Sequence, residues 1–149
     1  MQEKNILDQL RKNGYKITPQ RQEILRTLQT DPRPQSAEDI YRKISAYYPN
    51  ISLDTVYRNM AILQELGIVS KLNFQDGKNR FEINHADGHH HHHLVCIKCG
   101  DAKVVDLCPF KSLDKTKLAK EKKFEILGHS FEIFGHCAAC RDKLGKHEI

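Results

Sequence analysis

The sequence predicts an α+β fold in two domains: helices closed by a β-hairpin, then a smaller α/β domain. Three observations predict it. Apolar residues recur at helical spacing from Ile6 to Leu66. Two short strand-like runs, 68–74 and 80–83, flank Asp76 and Gly77, a hairpin signal. The chemistry-bearing side chains are segregated, with all five Cys and eight of the nine His lying beyond residue 88. The expected boundaries are 1–84 for the first domain, 85–88 for a small polar hinge ending in Gly88, and 89–149 for the second domain.

In the first domain, Ile6, Leu7 and Leu10 line one face of a helix over 3–13, closed by Gly14. Thr18 and Pro19 open a second helix as N-cap and first helical residue, with Ile24, Leu25 and Leu28 as its apolar stripe. Residues 31–34 (Asp-Pro-Arg-Pro) form a rigid turn. Ser36 with Asp39 is a capping box for a third helix that turns Ile40, Tyr41 and Ile44 inward. Ser52 caps a fourth helix over 53–66, whose apolar face is Val56, Met60, Leu63 and Leu66 and whose stop is Gly67. Helices followed by a hairpin is the order of a winged helix-turn-helix. In the second domain, 94–97 and 102–107 are strand candidates, 112–123 a basic-faced helix, and 124–134 an alternating strand or hairpin.

The balance of 39% apolar and 29% charged residues suits a globular protein, and no apolar run is long enough for a bilayer. The charged, amphipathic N-terminus has no apolar h-region, so the expectation is a cytoplasmic protein with no membrane partner. A net charge of +5 permits a polyanionic partner.

The fourth helix gives that partner a shape. Its first turns carry Asp54, Thr55, Tyr57, Arg58 and Asn59, while its apolar residues occupy the opposite face. A recognition helix offers such N-terminal positions to base edges in the major groove of double-stranded DNA. Thr55, Tyr57, Arg58 and Asn59 are the expected DNA-contacting residues. Lys16 and Arg21, which flank a helix start, and Lys71 and Lys78 in the wing are candidates for phosphate contacts.

Cys96 and Cys99, with Cys137 and Cys140, form two C-x-x-C knuckles, enough for one tetrahedral four-thiolate zinc site of structural type. Cys108 is left over and is expected to be a buried small apolar residue. The five consecutive histidines, 89–93, run straight into the first knuckle. In an extended segment alternate side chains face opposite ways. His91 and His93 then face one side and His90 and His92 the other, so one strand can serve two metal sites. Glu82, His85, Asp106 and His129 are candidates for completing them.

The residues in 14–21 (GYKITPQR), 36–41 (SAEDIY), 54–69 (DTVYRNMAILQELGIV), 89–100 (HHHHHLVCIKCG) and 128–140 (GHSFEIFGHCAAC) together resemble the ferric uptake regulator family of bacterial repressors, over nearly the whole chain. The resemblance implies a homodimer binding A/T-rich palindromic operators, a structural four-cysteine zinc, and a regulatory metal at the domain junction held by His91, His93 and Glu82 or His85. It also implies a second dimer-domain site of His90, His92 and His129 with an acidic residue, Asp106 or Asp114. The effector metal is iron or zinc, with manganese possible. Where many iron and peroxide sensors of the family carry a ligand histidine before the third helix, this chain has Arg33, Pro34 and Gln35.

The expected function is therefore a metal-dependent transcriptional repressor, not an enzyme. There is no H-E-x-x-H and no compact nucleophile–base pair. A metal-storage or metallochaperone protein is the alternative. It accounts for the histidine run but not for the helix–hairpin half.

Overall fold

The computed structural model describes residues 3–75, 77–84 and 91–145. The chain divides into two compact units, with the boundary between residues 90 and 91. The expected hinge, 85–88, lies outside the described residues.

The first unit is built by caps and a single apolar core. Helix α1 (Glu3–Lys12) buries Ile6 and Leu10. Helix α2 (Pro19–Thr30) begins where the Thr18 hydroxyl accepts a hydrogen bond from the Arg21 backbone N–H at 3.1 Å, satisfying one of the orphan donors of its first turn. Strand β1 is the two residues Gln35–Ser36. Helix α3 (Ala37–Ser45) opens on a reciprocal capping box. Asp39 N–H donates to Ser36 Oγ and Ser36 N–H to the Asp39 carboxylate, both at 3.1 Å. Helix α4 (Leu53–Glu65) is capped by Ser52, which accepts from Thr55 N–H at 3.1 Å. It ends at Gly67, whose φ of +71° is the left-handed conformation that lets Ile68 N–H turn back to the Leu63 carbonyl.

Strands β2 (Val69–Asn73) and β3 (Asn79–Ile83) form the expected antiparallel hairpin, with Ser70 opposite Glu82 and Leu72 opposite Arg80. Gly77 in the connecting loop has a φ of +77°, and Asp76 lies outside the described residues. Strand β1 joins the far edge of β3, giving a sheet of order β1-β3-β2. The sequence does not predict β1, because two residues carry no periodicity. Ile24, Leu25, Ile40, Ile44, Val56, Met60, Leu63, Ile68 and Phe81 are buried together, each worth roughly 1.5–3 kcal/mol relative to exposure. The result is a winged helix: α2, α3 and α4 followed by a hairpin wing.

The second unit is a three-stranded sheet of order β5-β4-β6 with two short helices. Strand β4 (His92–Cys96) pairs antiparallel with β5 (Ala102–Val105) and parallel with β6 (Glu132–Gly135). A 3-10 turn at Pro109–Ser112 precedes α5 (Lys115–Lys122), which starts later than the sequence pattern suggests because Asp114 is its N-cap, accepting from Lys117 N–H at 3.0 Å. The alternating run 124–134 is a strand only over its last residues. Phe124 and Leu127 are 73% and 88% exposed, so their alternation does not mark a half-buried strand. Helix α6 (Ala138–Leu144) was not expected from the sequence. It is too short to show a period, and it starts inside the second C-x-x-C.

Candidate metal centres and nucleic-acid interface

The outer face of α4 displays part of the expected set. Tyr57 and Arg58 are exposed and Thr55 is half-buried. The Arg58 guanidinium lies 3.2 Å from the Asp54 carboxylate one turn earlier. The Tyr57 hydroxyl donates to Glu38 of α3 at 2.5 Å. That bond holds the Glu38 carboxyl below the usual carboxylate range and pushes the Tyr57 phenol up.

Asn59 is turned inward instead. It is 7% exposed, accepts from Arg21 Nε at 2.7 Å and donates to the Thr55 carbonyl at 2.8 Å. Arg21 also donates to the Lys16 carbonyl and stacks its guanidinium on Tyr15, 5.6 Å from the ring centre. Asn59 and Arg21, expected from sequence as DNA contacts, are bonded to each other and join α2 to α4, the helix that carries Tyr57 and Arg58. The side chains of Lys16, Lys71 and Lys78 are exposed.

In the second unit the four cysteines of the two knuckles converge, their sulfurs all within 4.8 Å of one another. The first knuckle is shaped by Gly100, whose φ is +77° and whose N–H donates to the Cys96 carbonyl at 2.9 Å. Asp101 O then accepts from Cys96 N–H at 2.8 Å, folding Cys99 back beside Cys96. In the second knuckle Cys137 is the N-cap of α6 and Cys140 lies in its first turn, on the same side.

Cys99 and Cys137 Sγ are 3.7 Å apart, and all four thiols are free. A disulfide requires about 2.05 Å, whereas the edge of a tetrahedron with Zn–S of about 2.3 Å is about 3.8 Å. The spacing fits four thiolates around one cation. As bare thiols Cys96 and Cys140 titrate far apart. Backbone N–H groups of Cys99 and Cys137 draw Cys96 down to about 6, while thiol contact with Cys137, aided by burial, pushes Cys140 up to about 12. Four adjacent negative charges need a cation to coexist.

A second cluster uses the other side of the histidine run. His92 Nε2 lies 3.3 Å from His129 Nε2, and the rings are 5.1 Å apart. The third member is Cys108, whose sulfur is 3.3 Å from His129 Nε2, and all three ligand atoms lie within 4.8 Å. Cys108 is not the buried apolar filler that its sequence context suggests. It is half-buried and sits among imidazoles instead, brought there by the 3-10 turn that it caps. The expected carboxylates are elsewhere. Asp106 is exposed and outside the cluster among the described residues, and Asp114 caps α5. The signal available in sequence was Cys108-Pro109 itself, a thiol left over beside a turn former.

His91 and His93 have ring centres 6.4 Å apart, edge to face, with His93 fully buried. Glu82 lies in β3 of the first unit. His85 and His90 fall outside the described residues.

A winged helix followed by a thiol- and imidazole-rich α/β unit is the build of a metal-regulated DNA-binding protein. The ferric uptake regulator family profile matches residues 12–134, and the chain belongs to this family. It is 38% identical over 136 residues to the peroxide-responsive repressor PerR of Staphylococcus epidermidis, spanning 90% of this chain and 87% of that protein. Among solved structures it resembles the Helicobacter pylori ferric uptake regulator, described as having three functional metal-binding sites, with a TM-score of 0.73 and 26% identity over 92% of this chain and 89% of that one. It also resembles the Vibrio cholerae ferric uptake regulator, with a TM-score of 0.70 and 32% identity over 87% and 98% of the two chains. The protein is thus a metal-responsive transcriptional repressor, not an enzyme, of a family whose members are DNA-binding dimers. The storage alternative leaves the winged helix without a role. Among the described residues, no helix is long and apolar enough to cross a membrane.

Proposed function

We propose that the chain represses transcription as a homodimer on A/T-rich palindromic operators, with a divalent metal (iron or zinc, manganese as a further candidate) as corepressor. Cys96, Cys99, Cys137 and Cys140 hold the structural zinc. His91 and His93, with Glu82 or His85, hold the regulatory ion. His90, His92 and His129 belong to a second dimer-domain site, for which Asp106 and Asp114 were the acidic candidates. Lys16 and the exposed face of α4, with Thr55, Tyr57 and Arg58, contact the operator. Arg21 and Asn59 hold that helix in place.

The observation that carries this reading is the split of the histidine run. His91 and His93 approach each other, whereas His92 leaves them for His129. Consecutive positions of one strand thus face different neighbours, as alternation along an extended segment allows, which supports assigning them to two sites. A metal that draws ligands from both the hinge side and the second unit narrows the range of spacings between the two recognition helices of a dimer. Those helices must sit about one DNA turn, roughly 34 Å, apart to reach both half-sites. Metal-free molecules are then competent only as a fraction of the population.

The chain departs from many iron and peroxide sensors of the family just before α3, where they have a ligand histidine. Gln35, in that stretch, is buried. Its amide donates to the Thr27 and Asp31 carbonyls at 3.1 and 3.2 Å and accepts from Lys43 at 2.7 Å.

The test is fluorescence anisotropy on a labelled A/T-rich palindromic duplex, titrated separately with zinc, ferrous iron and manganese. For the His91→Ala/His93→Ala double variant the expected outcome is loss of the metal response, with the fold and the structural zinc retained. A normal metal response in that variant contradicts the clamp.

A further inference from the structure

We infer that the second cluster of the dimerisation unit is a thiolate-containing metal site, in which Cys108 replaces the expected carboxylate beside His92 and His129 and selects a zinc-class cation over manganese. The inference rests on the reading of His92 and His129 as metal ligands and adds the third ligand and the metal it prefers.

Three observations carry it. The first is spacing. Two imidazole nitrogens bound to one tetrahedral zinc at about 2.0–2.1 Å are about 3.3–3.4 Å apart, and His92 and His129 Nε2 are 3.3 Å apart. The second is orientation. His92 Nδ1 lies 3.1 Å from the Phe131 carbonyl, which can only accept, so Nδ1 carries the proton. In that tautomer the Nε2 lone pair faces His129 and Cys108. A backbone carbonyl behind the ring is the usual outer-shell partner of a ligating histidine. The third is support. His129 is stacked on Phe110, 4.2 Å between ring centres, and Phe131 meets His92 edge-on at 5.6 Å. Phe110 lies in the 3-10 turn that Cys108 caps, and Phe131 directly precedes β6. The ligands arrive from β4, from the segment after β5 and from the segment before β6, and aromatic rings brace both imidazoles.

The choice of metal follows from the donor set. Two imidazoles and a thiolate suit zinc and cobalt(II), whereas manganese prefers carboxylate and water oxygens. Binding displaces the thiol proton to solvent, and no redox step is involved.

The experiment uses the full-length protein with its structural zinc in place, checked by zinc analysis. Cobalt(II) is added as the spectroscopic probe. The expected result is a near-ultraviolet sulfur-to-cobalt charge-transfer band with intense tetrahedral visible bands, unaffected by excess manganese. In Cys108→Ser the charge-transfer band disappears and cobalt affinity falls about tenfold or more, since outer-shell partners alone change metal affinity about 10–100-fold. Zinc content and dimer mass stay unchanged. His129→Ala should also weaken cobalt binding, while His91→Ala leaves the band in place. Cobalt binding that His129→Ala removes but that shows no sulfur band overturns the role of Cys108 and leaves the second site standing. A sulfur band unchanged in Cys108→Ser, or binding indifferent to both His92→Ala and His129→Ala, overturns the site as well.

Discussion

The two units are held together by different physics. In the first, α1 to α4 and the wing enclose a continuous core of Leu, Ile, Val, Met and Phe side chains. In the second, the buried apolar residues among those described are only Val95, Cys96, Ala102 and Cys140, and two of these are zinc-ligand candidates. The rest of its buried set is His92 and His93. Meanwhile Leu94, Val104, Leu107, Phe124, Leu127 and Ile133 are more than 40% exposed. A unit of this size with so little apolar burial among its described residues needs a staple, and the four-cysteine cluster is suited to hold one. On this reading the first unit is expected to stand by itself and the second to depend on metal for its stability.

Removing the staple should produce the largest effect. Cys96→Ser, or stripping zinc with a strong chelator, is expected to unfold the second unit and abolish the dimer, because structural zinc can supply about 10–16 kcal/mol of folding free energy. Hydrogen exchange should lose protection in β4 to β6 while α2 to α4 stay protected. A zinc-free dimer with β4 still protected would erase the contrast between the units.

The converse experiment is Leu25→Ala, which opens a cavity in the first unit's core and should cost about 2–5 kcal/mol. Denaturant unfolding of the first unit should report that loss, with zinc content and dimer mass unchanged.

Smallest is the surface ion pair of the turn. Asp31 accepts from Arg33 and Lys43, at 2.9 and 3.2 Å, and the Arg33 hydrogen bond above all holds its carboxyl far below the usual range. A depressed folded-state pKa gives stability that is present above the unfolded value, near 4, and is lost as pH falls below it. Both cations are well exposed, so Asp31→Asn should cost no more than about 1 kcal/mol at neutral pH. The difference from the parent protein should shrink on acidification below about pH 4.

The same contrast explains what could be read from the sequence. Caps and apolar periods are local signals, so Thr18, Ser36, Ser52 and the α4 stripe were legible as a winged helix. The four knuckle cysteines were legible because their spacing is dictated by the ion rather than by the fold. Partner choice between distant polar residues was not legible. Asn59 reads from sequence as a base contact and Arg21 as a phosphate contact, and only tertiary packing shows the two bonded to each other, 38 residues apart. Cys108 looked like filler until the segments after β5 and before β6 brought it to His129, 21 residues away. Helix α6 and strand β1 were too short to leave a period.

The most direct test of a metal-responsive repressor is the affinity of the intact dimer for an A/T-rich palindrome against a scrambled duplex. It is measured at fixed moderate salt with structural zinc retained, before and after adding the regulatory metal. Coupling between metal and DNA of the usual size predicts about 5–150-fold tightening, confined to the palindrome. Equal affinity with and without added metal, on a palindrome the protein binds selectively, would contradict the account.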